Sequence, residues 1–483
     1  MMAPVIVWFR RDLRIHDNAA LAAAAGSGRP VVPLFVLDEE SSGIRPLGGA
    51  SRWWLHESLR SLAGDLAGLG LSLGLRRGPA TDVLREVVRE TGAGRVVWNR
   101  LYEPASVALD AEIETALRAG GVETESYAGS LLSEPGEILT RQGAPYRVFT
   151  PFWRRLRESY RTPPPHPAPE RPTPGPAIES DRLQDWRLQP TAPDWAGGLR
   201  ETWEVGEAAA RRRLAGFMEG AVERYGRDRD RPDLEGSSRL SAHLHWGEIG
   251  PRQVWRAAAP LIEAAAPAPT GAEALLRELA WRDFNHHLLS HFPAMETENW
   301  RPAFDRFPWR DDPQALAVWQ EGRTGYPIVD AGMRELWHTG WMHNRARMIA
   351  ASFLTKDLLV HWRHGEAWFR DTLVDADLAN NVANWQWVAG SGADAQPFFR
   401  IFNPVRQAEK FDPQGAYVRR WVPEISRLPD RWLHRPWEAP GEVLSGAGIR
   451  LGRDYPLPIV DHAQARRRAL EAYRQLEPPR NPR

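Results

Sequence analysis

The sequence predicts an α/β N-terminal part followed by an all-α C-terminal part. Three observations carry this. Short apolar runs alternate with Ala/Leu-rich helical stretches over residues 1 to about 130. A proline-rich stretch, TPPPHPAPERPTPGP, occupies residues 162–176. From Gly206 onward apolar residues recur at helical spacing, as over Trp281–Ser290 and Ala331–Arg370.

The apolar runs Val5–Phe9, Val31–Leu37 and Arg95–Trp98, with weaker ones at Leu71–Leu75 and Val122–Tyr127, read as strands. The stretches Asn18–Ala25, Arg52–Leu69, Thr81–Glu90 and Pro104–Ala119 read as the helices between them. Short buried runs separated by helices predict a parallel, doubly wound sheet. Glu134-Pro-Gly and the span Pro145–Pro151 begin a change of texture. Residues 162–176 cannot hold a packed helix or a central strand and read as a linker or surface-hugging connector. Breaks in the helical part are expected at Phe292-Pro293, Gly325-Tyr-Pro327 and Ser391-Gly392. The expected domains are 1–132, a connector 133–205, and 206–483.

Composition narrows the function. The chain has 483 residues, a formal net charge of zero, no cysteine, and 23 Trp against 9 Tyr. Without cysteine there is no disulfide scaffold, Cys-ligated zinc or Cys-bound iron–sulfur cluster. With no net positive charge, nucleic-acid binding must come from a local patch. Lysine occurs only at Lys356 and Lys410, which leaves little for Schiff-base or P-loop chemistry. The N-terminus lacks the order of a signal peptide, and no apolar run approaches the roughly 20 residues of a membrane span, so a cytoplasmic protein is expected.

Some motifs mislead. Gly390-Ser-Gly392-Ala-Asp-Ala395 matches the letters of a dinucleotide fingerprint but follows no β-run. His286, His287 and His291 contain an i,i+4 pair without the flanking pattern of a metal helix, and core or surface histidines are the better reading.

Three segments carry chemistry. In Tyr225 to Ser241, the hydroxyls of Ser237, Ser238 and Ser241 precede a helix; they suit a pyrophosphate and equally suit a capped helix start. In Trp341 to Met348, Asn344, Arg347 and Met348 fall on one helix face, a poor core and a plausible ligand wall. In Asp375 to Trp387, two acids, Asn381, Trp385 and Trp387 lie close in sequence, where Asp375 suits pairing with Arg347 and Asn381 suits a heterocycle.

These residues, with Val7-Trp-Phe-Arg10-Arg11-Asp12-Leu13-Arg14, Glu278-Leu-Ala-Trp281-Arg282-Asp-Phe and Thr324-Gly-Tyr-Pro-Ile-Val-Asp, resemble the photolyase/cryptochrome family. The resemblance runs from about residue 5 to about residue 462. Trp53-Trp-Leu-His56, Trp98-Asn99-Arg-Leu-Tyr-Glu103-Pro and Tyr455-Pro-Leu-Pro-Ile-Val-Asp-His462 are most similar to bacterial class III CPD photolyases. The resemblance implies the photolyase fold: a Rossmann-like α/β domain holding an antenna pigment and an all-α FAD-binding domain that also binds DNA. It implies repair of cyclobutane pyrimidine dimers, in which photoexcited reduced FAD donates an electron to a flipped-out dimer, the dimer splits and the electron returns.

Site roles follow from the resemblance alone. Tyr225, Ser237, Ser238, Arg239, Leu240 and Ser241 would hold the FAD phosphates and ribityl chain. Asn344, Arg347, Asp375, Asp377 and Asn381 would line the flavin, with Asn381 near N5. Glu278 would hydrogen-bond the dimer, Trp281 and Trp387 would pack on its rings, and Met348 would sit over it. Arg229 and Arg345 would meet DNA phosphates. Trp385, Trp362 and Trp309 would form the electron relay, with Trp337 or Trp341 a candidate for a second branch.

Departures matter too. Asn285 stands where relatives often have an aromatic or small residue, and Met295 and Glu296 stand where class I folate enzymes use other polar or basic groups, which argues against a class I folate pocket. Resemblance to class III relatives, which bind folate in an altered site, implies a methenyltetrahydrofolate antenna near Asn99 and Glu103, with 8-hydroxydeazaflavin or FMN as alternatives. Asn381 favours a photolyase over a cryptochrome photoreceptor, and Met348 favours CPD over (6-4) repair. The lack of cysteine removes the iron–sulfur branch, and no long disordered tail is expected after residue 462. An ordinary flavin oxidoreductase would need a nicotinamide site, and no credible one occurs. The expected partner is dimer-containing DNA, and the expected state is a monomer with no membrane association.

Overall fold

The computed structural model describes residues 2–161, 163–264, 271–394 and 399–476. Packing divides the chain into two compact units. The first comprises Met1–Gly226, Ser238–Pro293 and Val374–Ala379; the second comprises Arg227–Ser237, Ala294–Leu373 and Asn380–Arg483.

In the first unit, β1 (Val5–Phe9), β2 (Val31–Leu37), β3 (Gly74–Arg77), β4 (Arg95–Asn99) and β5 (Glu123–Tyr127) form one parallel sheet, in the order β3-β2-β1-β4-β5. β1 and β2 are buried along their whole length, which is why they read as unbroken apolar runs. Helices α1 (Ala19–Gly26), α2 (Gly49–Gly68), α3 (Ala80–Thr91) and α4 (Pro104–Ala119) connect them. Ile6, Trp8, Val96 and Trp98 pack with Val83 and Leu84 of α3 and with Leu109 and Ile113 of α4 in one core.

The strand expected at Leu71–Leu75 lies at Gly74–Arg77 instead. It is an edge strand, where polar residues are tolerated: Arg76 pairs with Glu90 at 2.6 Å. The connector shields this side of the sheet. Val31 N–H donates to the Thr173 carbonyl at 2.8 Å, and Asp181 N–H donates to the Leu75 carbonyl at 2.8 Å. A further helix, Phe149–Ser159, falls within the expected connector; Pro151 sits in its first turn, where its missing N–H costs nothing.

The chain order reverses between β1 and β4, the usual ligand crevice of an open parallel sheet. Here the chain fills that position itself. Arg10 makes a bidentate pair with Asp110 at 2.7 and 3.1 Å. Asn99 Nδ2 donates to Asp12 at 2.6 Å and to Asn18 at 2.9 Å.

The second unit is helical. The expected run Ala331–Arg370 is cut into Pro327–Thr339, Asn344–Ser352 and Trp362–Thr372. Gly340, in the left-handed conformation, ends the first piece, and a π-turn at Phe353–Asp357 follows the second. Buried Asp330 explains the Thr324-Gly-Tyr-Pro motif. It accepts Thr324 N–H at 2.7 Å, Thr324 Oγ1–H at 2.6 Å, Gly325 N–H at 3.0 Å and Tyr455 O–H at 2.6 Å. Among the described residues, no helix is long and apolar enough to cross a membrane.

Candidate functional site

In the first unit, the helix Gly271–His291 carries Glu278 and Trp281 one turn apart, both half-buried. The Trp281 indole stacks on Phe149, with centroids 3.7 Å apart and planes 8° apart. The same helix supplies His286, whose Nε2 lies 3.0 Å from Asp377. Burial by itself would raise the Asp377 carboxyl, but His286 and His245 outweigh it and hold Asp377 well below the usual carboxylate range. Trp246 Nε1–H donates to the Val374 carbonyl at 3.0 Å, so the acidic segment is tied at two points. Asp375 is buried in the same segment.

Upstream in that unit, Tyr225 is buried against Phe217, with centroids 5.4 Å apart. Arg239 has φ 50°, so the chain turns sharply between Ser238 and Leu240 before the helix Ser241–His245. Leu240 N–H reaches Ser238 Oγ at 3.4 Å, and Ser241 is exposed. Asn99 is 2% exposed, and its amide is spent on Asp12, Asn18 and Ala20. A pigment contact at Asn99 would require that network to open. Glu103 is ion-paired with Arg11.

In the second unit, Asn381 lies on the helix Leu378–Ala389. Its Nδ2 donates both to the Glu366 carbonyl and to Glu366 Oε1, each at 3.0 Å. Its Oδ1 accepts no hydrogen bond from the described residues, so the amide is fixed with a bare acceptor. Asn344 is exposed, with Nδ2 3.8 Å from Met348 Sδ. Arg347 Nε donates to the Met342 carbonyl at 2.8 Å. Arg345 pairs with Asp230 at 2.8 Å and lies 4.2 Å from the Phe411 ring centroid. Ser237 and Arg229 belong to the segment Arg227–Ser237 of this unit. Trp387 Nε1–H donates to the Asp394 carbonyl at 3.2 Å.

The three tryptophans expected to form the relay all lie in the second unit. Trp385 is 2% exposed and meets Phe369 at 4.9 Å and Trp319 at 6.1 Å between centroids. Its ring lies against the backbone of Gly365, three residues after Trp362 in the same helix. Trp362 Nε1–H donates to Asn299 at 2.9 Å. His361 bridges Trp362, at 5.5 Å, to half-buried Trp309, at 4.9 Å. A Cβ on Gly365 would run into the Trp385 ring. Gly365→Ala is therefore expected to displace Trp385 and slow photoreduction of the bound flavin at least about tenfold, read by its absorbance under illumination. The Trp337 ring stacks on Trp368 with centroids 6.0 Å apart, while Trp341 is buried beside His343.

Sequence reasoning passed over Glu366, Gly365, Asn299 and Phe149, none of which carries a local signal. His286 was legible only as part of a histidine cluster; His287 and His291 instead bond the Pro135 carbonyl at 3.1 and 2.9 Å. Gly390 follows the end of a helix, at φ 91°, which explains the false dinucleotide fingerprint; Ala395 lies outside the described residues.

Two family models match the chain: DNA photolyase over residues 5–171, and the FAD binding domain of DNA photolyase over residues 275–475. The deoxyribodipyrimidine photo-lyase of Agrobacterium fabrum is 52% identical over 473 residues, covering 98% of each chain. The chain belongs to the DNA photolyase family. Within this family it is also 40% identical to cryptochrome-1 of Arabidopsis thaliana, covering 98% of this chain and 70% of that protein. The crystal structure of a bacterial class III photolyase from Agrobacterium tumefaciens superposes with a TM-score of 0.94 at 50% identity, covering 99% of this chain and 98% of that one. The photolyase fold and the family's FAD-binding domain are thus those of this chain.

Proposed function

We propose that this protein is a deoxyribodipyrimidine photo-lyase that repairs cyclobutane pyrimidine dimers in DNA under blue light. The observation that carries the reading is the 52% identity to a photo-lyase across 98% of both chains. When bound, reduced FAD supplies the photoexcited electron. Repair is redox-neutral: the electron that enters the dimer leaves it once both cyclobutane bonds have broken.

The residues present fit the cofactor. Asn381 Oδ1, a bare acceptor fixed by Glu366, suits the N5–H that only the protonated ring carries. Arg347, Asp375, Asp377 and Asn344 would line the ring, while Tyr225, Ser237, Ser238, Arg239, Leu240 and Ser241 would hold the phosphates and ribityl chain. By the family resemblance Trp281 and Trp387 would stack on the dimer, and Met348 would add an apolar contact. Stacking on an aromatic side chain contributes about 1–3 kcal/mol per base, and a dimer's weakened pairing lowers the cost of flipping. Glu278 would hydrogen-bond the dimer and share a proton with the charge that forms on it. Arg229 and Arg345 contact phosphates, with Arg345 exchanging Asp230 for the DNA.

The relay moves an electron inward from Trp309 to Trp362 to Trp385. Its indole N–H groups support hopping. Trp385 Nε1 has no acceptor among the described residues, and Trp362 and Trp309 donate only to an amide oxygen and the Phe304 carbonyl. None of these is a base strong enough to take the indole proton and trap the hole before it reaches half-buried Trp309.

We assign residues 1–132 to the antenna, 133–205 to the connector and 206–483 to FAD and DNA. The antenna reading is methenyltetrahydrofolate beside Glu103, with 8-hydroxydeazaflavin or FMN distinguished by the absorption spectrum of the purified protein. The protein acts on DNA as a cytoplasmic monomer. Likeness to a plant cryptochrome favours a second reading, a photoreceptor without repair. Reduced protein, a dimer-containing oligonucleotide and blue light separate them. Dimers are expected to disappear; their persistence with DNA bound would support the photoreceptor.

A further inference from the structure

The stack between Trp281 and Phe149 has a consequence for lesion recognition. The two rings are nearly parallel at 3.7 Å, so one face of the indole is covered by the chain itself. Phe149 is 1% exposed. Phe284 stands nearly perpendicular to both rings, 5.7 Å from Trp281 and 5.8 Å from Phe149. Arg277, one turn before Trp281 on the same helix, places its guanidinium 6.0 Å from the Phe149 centroid. The indole plane is therefore set by ring packing on one face and across its edge.

Phe149 is itself held from outside its own helix. The segment leading to it is tied to the helix Gly271–His291 along its length. Arg282 Nη1 donates to the Ser130 carbonyl at 2.6 Å. Asp283 accepts Leu132 N–H at 2.8 Å and Ser133 N–H at 3.1 Å. His287 Nε2 accepts Tyr146 N–H at 3.1 Å, so its Nδ1 carries the hydrogen and donates to the Pro135 carbonyl at 3.1 Å. These ties, three of them buried, fix where residue 149 arrives.

We infer that Phe149 is a positioning residue for dimer recognition: it fixes the Trp281 indole so that the uncovered face is ready to stack on a flipped dimer. The inference rests on the reading of Trp281 as a lesion-facing residue. A platform already immobile loses no side-chain freedom when the base arrives, so its stacking energy goes to discrimination between damaged and undamaged DNA. A loose indole would have to be ordered by the lesion.

The test compares FAD-loaded wild type, Phe149→Leu, Phe149→Tyr and Trp281→Ala. The readout is the ratio of Kd for undamaged duplex to Kd for the same duplex with one thymine dimer. Flavin content and melting temperature report folding. Phe149→Leu keeps apolar volume but removes the stack, and is expected to lower the ratio about tenfold with undamaged binding unchanged. Phe149→Tyr keeps the ring and should restore the ratio. A wild-type ratio in Phe149→Leu overturns the inference, as does an equal loss for both DNAs, which marks a merely structural role. If Trp281→Ala keeps the wild-type ratio, the lesion-facing reading fails and the inference with it. If Trp281→Ala loses the ratio and Phe149→Leu does not, only the role of Phe149 is rejected.

Discussion

Trp385→Phe is expected to abolish photoreduction of oxidised FAD while leaving repair by chemically reduced protein within about twofold of wild type. The indole is readily oxidised and a phenyl ring is not, so the substitution removes the proposed inner relay station without removing an aromatic ring. Packing supports a clean result. Trp385 sits among Phe369, Trp319 and the Gly365 backbone, and a phenyl ring occupies part of the same space. The void left by the smaller ring costs on the order of 1–3 kcal/mol, short of what unfolds a domain of this size. The check is flavin absorbance during illumination with an external reductant present, followed by a repair assay after chemical reduction. Unchanged photoreduction would move the relay elsewhere, and the Trp337–Trp368 stack would be the next pair to substitute.

Glu278→Ala is expected to lower repair per absorbed photon about tenfold or more, with flavin content near wild type. Glu278 projects from the helix Gly271–His291, one turn from Trp281, and is half-buried. On the proposed reading a carboxyl there would hydrogen-bond the dimer carbonyls or share a proton with the negative charge that develops on them. Alanine removes both; Glu278→Gln keeps a hydrogen bond and loses the proton. Glutamine close to wild type identifies hydrogen bonding as the larger effect, and glutamine close to alanine identifies the proton. Loss of flavin in proportion to activity would instead make Glu278 a structural residue.

The parts legible in the sequence share one property: their signal is local. Apolar runs marked β1, β2 and β4 because central parallel strands are buried on both faces. β3 slipped by a few residues because an edge strand carries Arg76 and Arg77 and takes its shielding from Ser180 and Asp181, about a hundred residues away. The connector showed itself through proline, but the helix Phe149–Ser159 inside it was hidden by a Pro151 that a first turn tolerates. Asn381 and Trp385 stood out by type and spacing. Their supports did not: Glu366 and Gly365 belong to another helix and look like any acid and any small residue. Arg10, Asp12 and Asn99 entered only as letters of the family motifs, and only packing reveals that they hydrogen-bond one another. The family resemblance supplied roles for residues whose partners lie far away in sequence.

The central claim is that light, through reduced flavin, drives dimer splitting in this protein. The most direct measurement is the ultraviolet absorbance of dimer-containing oligothymidylate with reduced holoprotein, followed at several blue-light intensities and in the dark. The expected result is an absorbance that rises as thymines are restored, at a rate proportional to intensity and zero without light. Absorbance that stays flat under light while the protein remains bound to the oligonucleotide would contradict the claim.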